Sequence, residues 1–149
     1  MGAALDSFAQ FGLMGMFASA FLAATILPLG SEIVFAALFF EGVSPALLVA
    51  VASVGNILGS LVNYALGRGA LRWWRGRRPT EQNAQIDAAL ARFERWGAAS
   101  LLLAWVPVVG DPLTVAAGVL RVRLWLFLAL VSIGKTGRYV ALSWLLAQG

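Results

Sequence analysis

Trp105-Val106-Pro107-Val108-Val109-Gly110-Asp111-Pro112 sets a carboxylate between two prolines, inside an apolar run that extends from Ala98 to Leu120. Each proline lacks an N–H and its ring crowds the preceding turn, so a helix through this run breaks near its middle. An aspartate at such a break is costly in hydrocarbon and is placed against protein or water, which marks it as a site candidate. Leu27-Pro28-Leu29-Gly30-Ser31-Glu32 repeats the order of proline, small residue and carboxylate. Between the two copies the offset is 79 residues (Pro28 to Pro107, Glu32 to Asp111), and at that offset Ala37 meets Ala116, Leu47 meets Leu126, Ala50 meets Ala129, Ser53 meets Ser132 and Gly55 meets Gly134. The chain reads as a diverged internal repeat whose helix breaks are Pro28 and Gly30 in one copy and Pro107, Gly110 and Pro112 in the other.

The surrounding composition sets the solvent for these breaks. Of 149 residues, 60% are hydrophobic and 12% charged, against about a quarter charged in soluble domains. That balance predicts an all-α integral membrane protein in a single membrane domain, residues 1–149. With no histidine and no cysteine, imidazole bases, thiol nucleophiles, disulfides and the commonest metal ligands are excluded together; no metal or other cofactor is expected. Arg68, Arg72, Arg75, Arg77 and Arg78 cluster around Trp73 and Trp74. This basic run abuts an apolar segment, which is what the positive-inside rule and the interfacial aromatic belt produce, so nucleic acid is not the expected partner. Ala18-Ser19-Ala20 resembles a signal-peptide cleavage site, but the preceding region carries Asp6 and no Lys or Arg, and the apolar stretch continues to Leu27. The N-terminal segment is expected to be retained.

Phe8 to Leu27 is apolar, and beyond the first break a second apolar piece runs only from Ile33 to Phe40. A helix needs about 20 residues to cross the hydrocarbon core, so this piece fits a half-helix returning to the face where the chain entered. After Gly42, Ser44 and Pro45, the segment Ala46 to Leu66 is long enough to cross completely. Ser53, Asn56, Ser60 and Asn63 fall within about 80° of one another on it, a polar stripe that faces protein, and Gly55 and Gly59 invite a close backbone neighbour. Gly67 to Pro79 reads as a basic connector, and Thr80 caps an amphipathic helix with Ile86, Leu90 and Phe93 on one stripe and Trp96 at headgroup depth, lying in the interface. A second unit follows: an apolar arm from Ala98 to Val106, the break, a short piece from Leu113 to Leu120, and a complete crossing from Leu124 to Ala147. The predicted architecture is two inverted repeats, about 8–66 and 98–147, each a re-entrant helical hairpin plus one transmembrane helix, with the connector and amphipathic helix 67–97 between them.

Charge supports re-entry. If both broken segments return to their side of origin, Arg68, Arg72, Arg75, Arg77, Arg78, Arg92, Arg95, Arg121 and Arg123 share one face, which the positive-inside rule makes cytoplasmic. Full crossing would place Arg121 and Arg123 opposite the other seven. Two cations remain within the last crossing. Lys135 and Arg138, three residues apart and so neighbours on the helix, each cost roughly 2.5–3.5 kcal/mol at the bilayer centre; Glu32 and Asp111 are the acids at comparable depth. These four, with Asn56, Asn63 and Tyr139, are the candidate substrate- or ion-binding residues. Glu41 sits at a turn and is expected to be solvated. Ser31 and Ser132 lack a histidine, a Ser132–Lys135 dyad is an i,i+3 coincidence, and Glu32 with Asp111 has no further ligands or sugar-binding groups beside it, so no enzyme is expected.

Taken in order, Pro28-Leu29-Gly30-Ser31-Glu32, Gly55-Asn56-Ile57-Leu58-Gly59, Asn63-Tyr64-Ala65-Leu66-Gly67-Arg68, the Trp105 to Asp111 segment and Gly134-Lys135-Thr136-Gly137-Arg138-Tyr139 resemble the YqaA branch of the DedA, or SNARE-associated (VTT-domain), membrane proteins. The resemblance covers Phe17 to Tyr139. It implies two re-entrant hairpins meeting in the membrane, a bacterial inner-membrane location and, as in some members, transport of lipid carriers such as undecaprenyl phosphate. Ala104 and Gly110 stand where the wider family has arginines, and Asn56 where many members have aspartate. The leading expectation is therefore translocation of a lipid or lipid phosphate, with an anionic headgroup as partner and proton coupling as one form of it. A non-transporting membrane-homeostasis or scaffold protein, and a proton-coupled carrier of a small solute, are the alternatives.

Overall fold

The computed structural model describes residues 2–25, 30–77, 80, 81, 83, 84, 87, 91, 97–106 and 110–149. Its elements are α1 (Gly2–Thr25), α2 (Gly30–Phe40), α3 (Pro45–Arg75), a 3-10 helix (Ala98–Trp105), α4 (Gly110–Val119) and α5 (Leu124–Gln148). No strand occurs among the described residues. The chain divides into two compact units, Met1–Gly59 with Lys135–Gly149, and Ser60–Gly134. Each unit thus holds one short helix and the element that packs beside it, α1 with α2 or the 3-10 helix with α4, together with part of α3 and part of α5.

Helix ends follow local chemistry. Thr25, the last residue of α1, turns its hydroxyl back onto the Leu22 carbonyl at 3.1 Å. Ser44 precedes Pro45, the first residue of α3, where a missing N–H costs nothing. Between α2 and α3 the chain turns through a Schellman motif: Val43 N–H donates to Leu38 O at 3.1 Å and Gly42 N–H to Phe39 O at 3.1 Å, with Gly42 at φ +88°. Between α4 and α5 the same motif recurs 79 positions on (Gly42 to Arg121), with Val122 N–H on Ala117 O at 3.0 Å and Arg121 N–H on Gly118 O at 3.1 Å. Phe127 N–H on Arg123 O likewise repeats Leu48 N–H on Ser44 O. Here, however, the left-handed residue is Arg121, at φ 56°, a conformation that costs a side-chain-bearing residue about 1–2 kcal/mol and glycine almost nothing.

Several expected boundaries move. α3 does not stop at Leu66 but continues to Arg75, so Gly67–Arg75 is helix and not connector. Gly67 is tolerated because its bare backbone packs on α4, where an added Cβ would lie 2.2 Å from the Val115 carbonyl oxygen. Gly30 and Gly110 are the first residues of α2 and α4, and Pro112 lies in the first turn of α4. These three therefore begin helices, a role first-turn proline permits; Pro28 and Pro107 lie outside the described residues. At 11 and 10 residues, α2 and α4 are longer than expected but rise only about 15–17 Å, half a hydrocarbon core. The arm before the second break is 3-10, not α. Between Arg75 and Gly97, Thr80, Glu81, Asn83, Ala84, Asp87 and Ala91 are helical; the apolar stripe Ile86, Leu90 and Phe93, with Arg92, Arg95 and Trp96, lies outside the described residues.

Burial departs from that of a soluble protein in two ways. Ser31, Ser53, Asn56, Ser60, Asn63, Thr114 and Lys135 are buried, while Phe11, Ile33 and Phe40 are at least 70% exposed and Trp125 and Leu66 more than 60%. The expected polar stripe of α3 thus faces protein. α3 and α5 are long and apolar enough to cross a membrane, and only 39% and 22% of their most apolar windows are buried. A soluble core helix would be mostly covered, so an apolar solvent is the environment this surface fits.

Each unit has its own apolar core. In the first, Met16, Ala20, Phe35, Leu38, Leu48, Ala52 and Tyr139 pack together; in the second, Tyr64, Ala98, Leu101, Ala104, Ala117, Val122, Phe127 and Val131 do so. Small residues bring the backbones close enough. A Cβ on Gly55 would meet Phe17 O at 2.6 Å and one on Gly59 would meet Phe21 O at 2.6 Å, which makes α1 the close neighbour of that glycine pair. In the second unit, a Cβ on Gly118 would lie 2.0 Å from Tyr64 O. Gly118→Val is therefore expected to destabilise the protein by about 1–3 kcal/mol or more through overpacking. Gly69→Ala, into open space on a helix, should be neutral or stabilising by up to ~1 kcal/mol. Thermal unfolding of both variants in detergent checks this pair.

Candidate functional site: a buried polar cluster

The first unit gathers polar groups from four elements. α2 opens with Ser31 and Glu32, and the carboxylate of Glu32 sits in the first turn, where the exposed N–H groups favour negative charge. α5 presents Lys135, Arg138 and Tyr139, which share one helix face by their i, i+3 and i+4 spacing. α3 supplies Asn56, and α1 the carbonyl of Ala20.

Arg138 reaches Glu32 with two donors on one carboxylate oxygen: Nε lies 2.9 Å from Oε1, and Nη2 bonds the same atom. Arg138 is 13% exposed and Glu32 32%, so the pair sits at the edge of the cluster with its acid the more accessible partner. Behind it runs a hydrogen-bonded chain. Lys135 Nζ donates to Asn56 Oδ1; Asn56 Nδ2 donates to Ala20 O at 3.0 Å and to Tyr139 Oη at 3.2 Å. Having accepted from Asn56, the Tyr139 hydroxyl lies 3.0 Å from Ser31 Oγ and can donate to it. Phe35 stacks on the tyrosine ring with centroids 5.7 Å apart. Lys135 and Asn56 are each only 2% exposed, and Ser31 and Tyr139 are fully buried.

This chain has a direction that explains asparagine at position 56. Nδ2 must face a backbone carbonyl, which turns Oδ1 toward the Lys135 ammonium. An ionised aspartate would set an acceptor against the Ala20 carbonyl, with no proton between the two oxygens. One turn earlier on α3, Ser53 Oγ is buried and has no hydrogen-bond partner among the described residues.

Asn63 and Asp111 belong to the second unit. Asn63 Nδ2 donates to Thr114 Oγ1 at 3.1 Å, and the fully buried Thr114 hydroxyl donates to the Asp111 carbonyl at 2.6 Å. Asp111, half-buried in the first turn of α4, occupies the place that Glu32 has in α2. Of the residues singled out from the sequence, the structure brings Glu32, Asn56, Lys135, Arg138 and Tyr139 into one cluster, and ties Asn63 to the turn that carries Asp111. Glu41 is exposed at its turn. Ser31 and Thr114 were not expected as structural partners; a hydroxyl three residues after Asp111 and another directly before Glu32 are the signals that point to them.

Tyr139→Phe keeps the ring on Phe35 and removes one hydroxyl, leaving an Asn56 N–H and the Ser31 hydroxyl without their partner. The expected loss is about 1–3 kcal/mol, measured by denaturation of the two proteins in the same detergent.

Comparison with known proteins places these residues in a family. The VTT domain matches residues 27–148. The inner membrane protein YqaA of Escherichia coli (strain K12) is 40% identical over 138 residues, covering 92% of each chain, and that of Shigella flexneri is equally similar. An uncharacterized protein of Haemophilus influenzae is 40% identical over 138 residues, covering 87% of this chain and 84% of its own. No solved structure matches. A domain match across most of the chain, joined to near-full-length similarity at this identity, makes the protein a member of the VTT-domain (DedA) membrane protein family, on its YqaA branch.

Proposed function

We propose that this protein translocates a lipid or lipid phosphate across the bacterial inner membrane, acting as a carrier and not as an enzyme, with Lys135 and Arg138 as the cationic site for the headgroup. One observation carries this reading: a buried lysine and a largely covered arginine lie on one face of a helix long enough to cross a membrane, and the carboxylate that holds Arg138 is itself a third exposed. A hydrophobic contact would hold a static bundle at lower cost than buried charges. A carboxylate that an incoming phosphate can displace gives Arg138 two comparably favourable partners, as transport requires. Proton coupling is one form such a cycle takes.

The proposed membrane arrangement is two inverted repeats, each with a re-entrant hairpin, and residues 67–97 on the cytoplasmic side. It is supported by the Schellman turns that recur 79 positions apart (Gly42 and Arg121) and by the half-length α2 and α4. Within the second unit, Arg68 Nη1 donates to Tyr64 Oη at 2.9 Å and Tyr64 Oη donates to Val122 O at 2.5 Å. The Arg121–Arg123 turn therefore lies at the Arg68 end of the second unit, which supports re-entry. Cysteines at Gly76 and Arg123 should be labelled by an impermeant reagent from the same face; labelling from opposite faces would overturn the re-entrant arrangement.

The competing reading is a scaffold with a permanent Glu32–Arg138 pair, which the close contact of that pair favours. Lys135→Gln and Arg138→Gln decide between them. Each should insert normally yet lower translocation of short-chain lipid phosphates in liposomes at least about tenfold, the factor given by ~1.4 kcal/mol of lost headgroup binding. Glu41→Gln should match the parent. If both cation variants insert and transport at the parental rate, the headgroup role fails.

A further inference from the structure

The two Schellman turns form an internal control. In both, the same backbone groups bond at the same spacing, so the fold asks the same of each turn. In the first unit the turn is Gly42-Val43-Ser44; in the second it is Arg121-Val122-Arg123. Nothing in the hydrogen-bond pattern calls for arginine, and at position 121 the left-handed φ of 56° works against it where glycine serves in the other copy. A charge whose only purpose is to orient the segment during insertion can stand anywhere in the loop, and Arg123 already supplies one. Arg121 therefore points to a requirement for a cation at this particular place.

Its neighbourhood indicates what the cation meets. Tyr64 bonds Val122 O and receives Arg68, which brings a second guanidinium to the same end of the second unit. Among the described residues neither Arg68 nor Arg121 has a carboxylate partner, and Asp87 is already paired with Arg75. Arg121 and Arg123 are exposed, and Trp125, one turn further on in α5, is 65% exposed, an amphipathic ring of the kind that sits at headgroup depth. Two guanidinium groups, Arg68 and Arg121, with no carboxylate partner among the described residues and with an exposed tryptophan at the start of a membrane-length helix match an anionic phospholipid in the adjoining leaflet.

We propose that the Arg121–Arg123 turn, with Arg68, is a surface site for the headgroup of an anionic phospholipid, separate from the Lys135–Arg138 cluster. The purified full chain is placed in nanodiscs of phosphatidylcholine, with and without phosphatidylglycerol, and its thermal unfolding is followed. The parent should gain several degrees from phosphatidylglycerol. Arg121→Gly should match or exceed the parent in phosphatidylcholine, since the backbone strain is relieved, but lose at least half of the gain. Arg121→Asn, also tolerant of the left-handed conformation, should behave alike and serves where the glycine variant folds poorly. Because the protein is already folded and inserted, a charge that acts only in topogenesis gives no lipid dependence. An undiminished gain in both variants overturns the site. So does a gain reproduced by inorganic phosphate in detergent, which would make the ligand a free anion.

Discussion

A cation held inside a protein that is itself surrounded by hydrocarbon has to be satisfied by the chain, and the structure is arranged around that demand. Lys135, buried, and Arg138, largely covered, both sit on α5, which supplies every Lys and Arg of the first unit. To meet them, α2 must start where it does, so that Glu32 lies in its first turn, and α3 must turn Asn56 inward. The glycines at 55 and 59 then matter beyond packing. By letting α1 approach α3 backbone to backbone, they bring the Ala20 carbonyl within reach of the Asn56 amide and so orient the oxygen that faces Lys135.

What could be read directly from the residues was whatever periodicity and solvent cost dictate. Apolar length separates α3 and α5 from α2 and α4, the hydroxyl and amide spacing from Ser53 to Asn63 marks a buried face, and the expense of charge in hydrocarbon singles out Glu32, Lys135 and Arg138. The rest depends on contacts distant in sequence. α3 runs on to Arg75 because Gly67 finds a partner surface on α4, and nothing local distinguishes that glycine from a helix terminator. The pairing of Tyr139 with Ser31 joins residues 108 apart in sequence, beyond any window of periodicity. Thr114 sits where the first copy has Phe35, so the repeat alone predicts an apolar residue there. Similarity to YqaA proteins establishes the family; the direction of the hydrogen bonds comes only from the geometry.

The two units solve one problem with different chemistry. Under the 79-residue offset, Leu48 corresponds to Phe127 and Ala52 to Val131, and all four are buried; the apolar frame has kept its positions while changing volume. The polar contents have diverged much further. Where the first unit has a salt bridge and a buried lysine, the second has an amide and a threonine hydroxyl closing onto a backbone carbonyl. These hydrogen-bonded groups of the two units therefore differ in kind, even though the turns that frame them do not.

The hydrogen bond between Lys135 and Asn56 joins two positions that correspond to each other under that same offset. In an assembly of two identical chains, a contact of this kind sets a residue against its own twin. Paired asparagines can satisfy each other, whereas paired ammonium groups repel. A lysine at this contact suits a polypeptide in which positions 56 and 135 are free to differ, as they are within one chain.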